Sequence, residues 1–597
     1  MTAVDRTLKY GVFAVIATLI NLTSQELTIR FYSGTYSIHV ALLVGTVTGL
    51  ISKYCLDKRF IFAFIAQSQL HSLKTFIAYS ATGLLTTALF WGFELGFEFW
   101  FGGKSARYSG AAIGLALGYV VKYQLDSRMV FVSTTGSSPV HGQLGKNLVD
   151  GGKKGMLLSG WGRYPSIEAS VLAPRDASST AQILQNGEGS RMIPRGGGRS
   201  YGDSALATRV VSSRYLDDFI TLDRHALTIR CGAGTTLAEI LRVCVPKGLF
   251  LPVLSGTKYT TLGGAIAADI HGKNHHVDGS FCDHIERFTL LLPSGETAVC
   301  SHTENEEYFR ATCGGMGLTG MILDATISLR KVPSAFINSQ SIPVTNLGES
   351  LALLRQQTAK QYVVAWVDCL AKDTALGRGI IHLGSHSDAG NLEHRAKRKL
   401  SVPFTTPGFL LNRYTMSGFN QLYYARHRFK ESVSSVYYDD YFFPLDSIKG
   451  WNRLYGASGF LQYQFVLPDD SAEQGLRETL DTVSRSGKGS FLAVLKRFGP
   501  ANANWLSFPR QGVTLTLDFK YETELLPLLD RLDEIVLAAG GRHYLAKDAR
   551  MSAKVFRQGY PKWHQFKALK DRIDPAGILG SLQSDRLGLT QPGLRSS

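Results

Sequence analysis

An α-helical membrane domain of four transmembrane helices, followed by a large α+β part, is the fold class that this 597-residue sequence predicts. Three observations carry it. Apolar residues crowd the first 131 positions, whereas the remainder reads as a water-facing protein. A ten-residue pattern occurs twice within the apolar segment. Beyond that segment, short strands with turn signals surround three glycine-rich blocks. The length alone exceeds one ordinary domain.

Four apolar stretches lie at about residues 8–29, 36–56, 75–100 and 107–125. A bilayer core takes roughly 20 helical residues to cross. The pattern K-Y-x-L-D-x-R-x-x-F begins at Lys53 after the second stretch and at Lys122 after the fourth. The segment thus reads as two copies of a two-helix hairpin, a repeat type found in transporters. Arg6, Lys9, Lys53, Lys58, Arg59, Lys74, Lys122 and Arg128 fall on one side, and Arg30, Lys104 and Arg107 on the other. The positive-inside rule then predicts a multi-pass protein of the inner (cytoplasmic) membrane, with everything after the helices in the cytoplasm. The two repeat blocks resemble the GtrA family, which implies a carrier of polyprenyl-phosphate sugars over residues 1–131. A simple anchor explains the same residues equally well.

The net charge is +16, which favours an anionic partner, either a phosphorylated substrate or a membrane surface. No long basic run exists, which speaks against nucleic acid. Seven cysteines are scattered without a CxxC pair, so neither a zinc site nor a disulfide scaffold is expected. Residues 132–156 are rich in Gly, Ser and Lys and read as a linker.

The first glycine block follows the apolar Met192-Ile193-Pro194: Arg195, Gly196, Gly197, Gly198, Arg199, Ser200, Tyr201, Gly202 and Asp203. Clustered glycines let backbone N–H groups approach an anion. The spacing is not G-x-G-x-x-G, so a Rossmann site is not indicated. The second block contains Gly256, Thr257, Thr261, Gly263, Gly264, Ala268, Asp269, His271 and Lys273; the third runs over 314–320. Three such blocks spread over about 125 residues predict one extended ligand of dinucleotide length.

The triplet resembles the FAD-binding domain of the vanillyl-alcohol oxidase (PCMH-type) flavoproteins. That implies a PCMH-type FAD-binding domain over 157–335, an α+β substrate (cap) domain over 336–540, and a return to the FAD domain over 541–597. Many members attach the flavin through a His in the first block. Here that stretch has none, so noncovalent FAD is expected. His271-Gly272-Lys273-Asn274-His275-His276, Phe460-Leu461-Gln462-Tyr463-Gln464-Phe465-Val466 and Ala546-Lys547-Asp548 resemble the decaprenylphosphoryl-β-D-ribose 2′-oxidase family. The resemblance implies FAD contacts from the first block, from Gly256, Thr257, Thr261, Gly263, Gly264, Ala268, Asp269 and His271, and from Ile322 and Tyr544. It places substrate against Tyr201, His271, Lys273, Trp366, Gln462, Gln464 and Lys547. It also implies oxidation of the 2′-hydroxyl of a polyprenylphosphoryl-β-D-ribose, with a separate keto-sugar reductase completing the change to arabinose. Thr516 stands where well-known members carry a Cys.

Alcohol oxidation needs a hydride acceptor and a group to take the hydroxyl proton. Lys547, Tyr201 and His271 are the catalytic candidates, with Lys547 serving either as proton acceptor or as a fixed cation. Gln462 and Gln464 alternate along a strand and share one face. His275 and His276 have no carboxylate at ligand spacing, so no metal is assigned. The basic stretch 394–428 reads as a loop, either receiving a polyprenyl tail or facing solvent. Two other functions fit the same residues: an alditol or aldonolactone oxidase acting on a soluble sugar, and a lipid-sugar transporter with a regulatory flavin domain.

Overall fold

The computed structural model describes residues 155–590, apart from 187–190, 396–399, 403–404, 407 and 429–431, together with 37–57 and scattered helical positions within 13–28, 76–86 and 114–126. The chain divides into two compact units, 1–146 and 147–597.

In the first unit, helix α1 spans Ser37–Leu56. No helix among the described residues is long and apolar enough to cross a membrane. His39, Thr46, Thr48, Ser52 and Lys53 interrupt the apolar run of α1. This overturns the expected four-helix membrane domain and the multi-pass, inner-membrane placement derived from it. Much of the first, third and fourth apolar stretches, and the linker up to residue 154, lie outside the described residues. The repeat has a structural counterpart instead. In both copies a Lys and an Asp four residues apart lie on one helix face. Lys53 pairs with Asp57 at 2.6 Å and Lys122 with Asp126 at 3.0 Å. Tyr79 donates to Asp57 and Thr82 to Asp126, each at 2.7 Å, and both carboxylates are fully buried. Both repeat lysines are therefore already ion-paired within the protein.

The described residues of the second unit form three large sheets and two two-stranded ones. Strands β1 (Met156–Ser159), β2 (Ser166–Leu172), β3 (Met192–Arg195) and β4 (Arg209–Ser212) form a mixed sheet in the order β1-β2-β4-β3. Strands β5 (Phe219–Asp223), β6 (Thr228–Gly232), β7 (Ile285–Leu291), β8 (Thr297–Ser301) and β9 (Met321–Ser328) form an antiparallel sheet in the order β5-β6-β9-β7-β8. The short helix α2 (Leu262–Ala267) packs with them, its N-terminus capped by the Thr261 hydroxyl, which accepts from the Gly264 amide.

The third sheet has eight antiparallel strands: β10 (Phe336–Val344), β11 (Tyr362–Val367), β12 (Gly379–His386), β13 (Ser432–Tyr437), β14 (Phe460–Leu467), β15 (Ala493–Phe498), β16 (Gly512–Lys520) and β17 (Arg542–His543). Their order is β13-β10-β12-β11-β15-β16-β14-β17. Side chains alternate across such a sheet. Leu461, Tyr463, Phe465 and Leu467 of β14 and Val513, Leu515, Leu517 and Phe519 of β16 enter one apolar core. Helices α3 (Leu347–Gln356), α4 (Ala472–Ser486) and α5 (Leu526–Ala538) cover that face through Leu351, Leu476, Leu480, Leu529 and Leu532. The intervening residues, among them Gln462, Gln464, Val494, Lys496 and Thr516, line a cavity. Within 394–428, expected as a loop, a helix forms over Arg413–Arg428. Met416, Asn420 and Tyr424 recur every four residues and give it a buried stripe.

Candidate active site

A cavity of about 420 Å³ lies between the glycine blocks and the polar face of the eight-stranded sheet. At its first end the chain leaves β3 and turns through 195–201. A Cβ on Gly196 would meet the Thr261 hydroxyl at 2.2 Å, and one on Gly197 the Tyr259 carbonyl at 2.7 Å. Gly198 has φ +62°, a conformation natural to glycine. The amides of 196–200 have no hydrogen-bond acceptor among the described residues, whereas the Tyr201 amide donates to the Ala546 carbonyl at 3.0 Å. Arg195 spends its guanidinium on the Ala205 and Ser159 carbonyls, at 3.0 and 2.7 Å, and so holds the turn. A run of free amides closed in by tight backbone contacts suits a pyrophosphate. Thr257 donates to Asp446 at 2.9 Å, and the Tyr544 hydroxyl donates to the Ala268 carbonyl at 2.9 Å.

The other wall comes from the sheet. Trp366 faces Val494, Val494 faces Thr516, and Thr516 faces Gln464 in one cross-strand row. The Gln464 amide lies 2.9 Å from Nε2 of His271, while Nδ1 of His271 is buried without a partner. An amide N–H donating to Nε2 leaves the ring proton on Nδ1. Burial, helped by Lys496, His275 and Lys547, holds this imidazole well below its ordinary range and keeps it neutral. The Lys547 ammonium lies 3.8 Å from the centre of the Tyr201 ring. Burial pulls Lys547 down to about 7, opposed by the Asp518 charge. Burial likewise pushes Asp518 up to about 7, against the hydrogen bond from Gln462 and the charge of Lys547. Tyr201 is pushed well above the phenol range by burial and stays protonated.

Nearly all of the predicted site residues line this one cavity: 195–201, Gly256, Thr257, Thr261, Gly263, Gly264, Ala268, His271, Lys273, Ile322, Trp366, Gln462, Gln464, Tyr544 and Lys547. Gly202, Asp203 and Asp269 do not, and act behind its walls. A Cβ on Gly202 would lie 1.8 Å from the Asp548 carbonyl oxygen. Asp203 pairs with Arg586 at 2.7 Å, and Arg586 reaches Asp548 at 3.0 Å. The buried Asp269 accepts from the Cys282 amide, Asn502, Asn504 and Ser507. His275 accepts from the Gly499 amide at 3.1 Å, and His276 bonds the Lys360 carbonyl at 2.8 Å.

A family model described as an FAD-binding domain matches residues 169–301, and one described as D-arabinono-1,4-lactone oxidase matches 460–587. The decaprenylphosphoryl-β-D-ribose oxidase of Mycolicibacterium smegmatis is 35% identical over 450 residues, covering 72% of this chain and 97% of that one. The chain belongs to the decaprenylphosphoryl-β-D-ribose oxidase family. As a member of that family it is an FAD-dependent oxidoreductase, and the open amides and close-packed glycines of the first block fit that cofactor. An uncharacterized protein of Streptomyces coelicolor is 34% identical over 372 residues, covering 59% of this chain and 100% of that one. The L-gulonolactone oxidase of Scyliorhinus torazame is 29% identical over 203 residues, covering 33% of this chain and 45% of that one. The two family models match residues 169–301 and 460–587 and lend no support to the GtrA reading of the first segment.

In this decaprenylphosphoryl-β-D-ribose oxidase relative, sequence reasoning missed Lys496, His382, Tyr423 and Asp446, which line the cavity, and Asp518, which bonds Gln462. Asp518 stands two residues beyond Thr516 on β16, so it shares that residue's face. A lone carboxylate in a strand buried along almost its whole length was the available signal.

Proposed function

We propose that the chain oxidises the 2′-hydroxyl of a polyprenylphosphoryl-β-D-ribose to the 2′-keto sugar, the first half of an epimerisation that a keto-sugar reductase completes. One observation carries this reading. The polar face of the eight-stranded sheet presents Gln462, Gln464 and Trp366 to the same cavity as Lys547, Tyr201 and His271, in a member of the family named above. The first glycine block would hold FAD, which would supply the hydride acceptor that oxidation at the 2′-carbon needs.

The residues of the chain handle the rest. Gln464, fixed through its amide nitrogen to His271, keeps its carbonyl oxygen for a sugar hydroxyl. Lys547, its proton affinity lowered by burial, gives up its proton more readily than an exposed lysine and so can take the hydroxyl proton. Its protonated form then holds a positive charge over the Tyr201 ring, within the cavity that takes the sugar. Trp366 donates its indole N–H to the Phe491 carbonyl at 3.0 Å, which fixes the ring as a wall.

Anaerobic titration of the flavoprotein with polyprenylphosphoryl ribose tests the reading. Bleaching of the flavin absorbance together with a 2′-ketone product is expected. The match of residues 460–587 to D-arabinono-1,4-lactone oxidase favours a second reading, oxidation of a soluble lactone or alditol. Bleaching by such sugars alone would select it.

A further inference from the structure

We infer that Lys496 is the anion-recognising residue of the substrate pocket, receiving the phosphodiester of the sugar lipid; this rests on the function proposed above. Three lysines line the cavity: Lys273, Lys496 and Lys547. Two have protein partners. Lys273 donates to the Tyr441 carbonyl and lies 4.2 Å over the Tyr441 ring. Lys547 lies over Tyr201 and faces Asp518. The ammonium of Lys496 makes no hydrogen bond or ion pair to any described residue. Its cross-strand neighbour Thr514 donates its hydroxyl to the Phe465 carbonyl at 2.7 Å, and the Gln464 amide also approaches that oxygen, at 3.4 Å.

The charges around Lys496 do not balance. Its positive charge acts on Lys273, Lys547 and His271 and lowers the proton affinity of each. The buried carboxylate Asp518 acts on Lys547, not on Lys496, and is engaged by Gln462, Tyr455 and Lys547. His271 and His382 are held neutral by burial. An unpaired ammonium in such a place is costly unless an anion completes it. A polyprenylphosphoryl sugar carries one anion, the phosphodiester next to the sugar, within reach of a group that shares the cavity with the sugar-binding face. The glycine turn with its free amides lies at the other end and suits the cofactor's own phosphates.

The test uses FAD-loaded wild type, K496M and K496R. Two substrates are compared, a short prenylphosphoryl ribofuranoside and a neutral alkyl ribofuranoside. The ratio of kcat/KM for the phosphodiester over the neutral glycoside should fall about 10- to 100-fold in K496M, the range of a charge-assisted hydrogen bond, and recover in K496R. An equal fall for both substrates overturns the inference. Binding is read independently from the flavin spectrum and melting temperature with geranyl phosphate, geraniol or inorganic phosphate. Geranyl phosphate should stabilise wild type and not K496M, and K496M alone should melt above wild type. Geranyl phosphate binding no better than geraniol overturns the inference, and inorganic phosphate binding as tightly as geranyl phosphate overturns the assignment to the lipid. Anion binding that depends on Lys496, without turnover of the prenylphosphoryl ribose, leaves the anion site standing and removes the proposed function instead.

Discussion

Replacing Gly202 with Ala should damage stability and catalysis together. The added Cβ would lie 1.8 Å from the Asp548 carbonyl oxygen, 2.6 Å from its carbonyl carbon and 2.9 Å from Cα of Ala549. Real Cβ atoms keep at least 3.0 Å, so the two backbone segments must separate by 1.2 Å or more. No flexible side chain lies between them to absorb the change. Asp548 is itself held by the Arg550 and Met551 amides at 2.9 and 2.7 Å and by Arg586 and Gln583. Overpacking of this kind costs about 1–3 kcal/mol, and backbone against backbone belongs at the upper end. The residues beside the clash are Tyr201 and Lys547, whose 3.8 Å contact forms part of the site. A displacement of about 1 Å at a reacting group can cost on the order of 100-fold in rate. Thermal melting with and without added FAD, together with stopped-flow flavin reduction, measures both effects. A G202A protein with wild-type melting temperature, flavin content and reduction rate would refute the reasoning.

Lys547→Met should lower the rate of flavin reduction by about 100- to 1000-fold, the scale of losing one preorganised electrostatic contact, with bound FAD retained; stopped-flow absorbance reads it. Acid precipitation should release all of the flavin into the supernatant, because 195–203 contains no His, and a yellow pellet would contradict this. Acidification should destabilise the second unit through two buried histidines, partly offset by Asp518, whose proton affinity burial raises. Burial depresses His275 to about 3 and His382 to about 4, so the native state binds fewer protons than the unfolded state below about 6.5. The stability these histidines contribute is complete above that pH and lost as it falls towards 4, and denaturant midpoints measured from pH 7.5 to 4.5 should decline accordingly.

The glycine blocks were legible because close backbone approach leaves few residue choices, and the Gln462/Gln464 face because strand alternation is strict. Lys496 was not legible. Its place in the cavity depends on β15 pairing with β16, a contact between segments with no shared local signal. The Arg413–Arg428 helix was hidden because its buried stripe is only one residue wide per turn and includes the polar Asn420. The membrane reading rested on hydropathy over broad windows, which does not see the polar positions that break α1 or the lysines already paired with Asp57 and Asp126.

Arg586 lies on the short terminal helix Leu582–Leu587 and joins Asp203, from the first glycine turn, to Asp548, the neighbour of Lys547. Two segments separated by more than half of the second unit are thus locked by a residue that follows both of them in the chain. The clasp closes no earlier than the moment the ribosome delivers that helix. Nascent chains stalled short of it should therefore expose an unfinished nucleotide groove, and proofreading by proteases would have a natural signal to read.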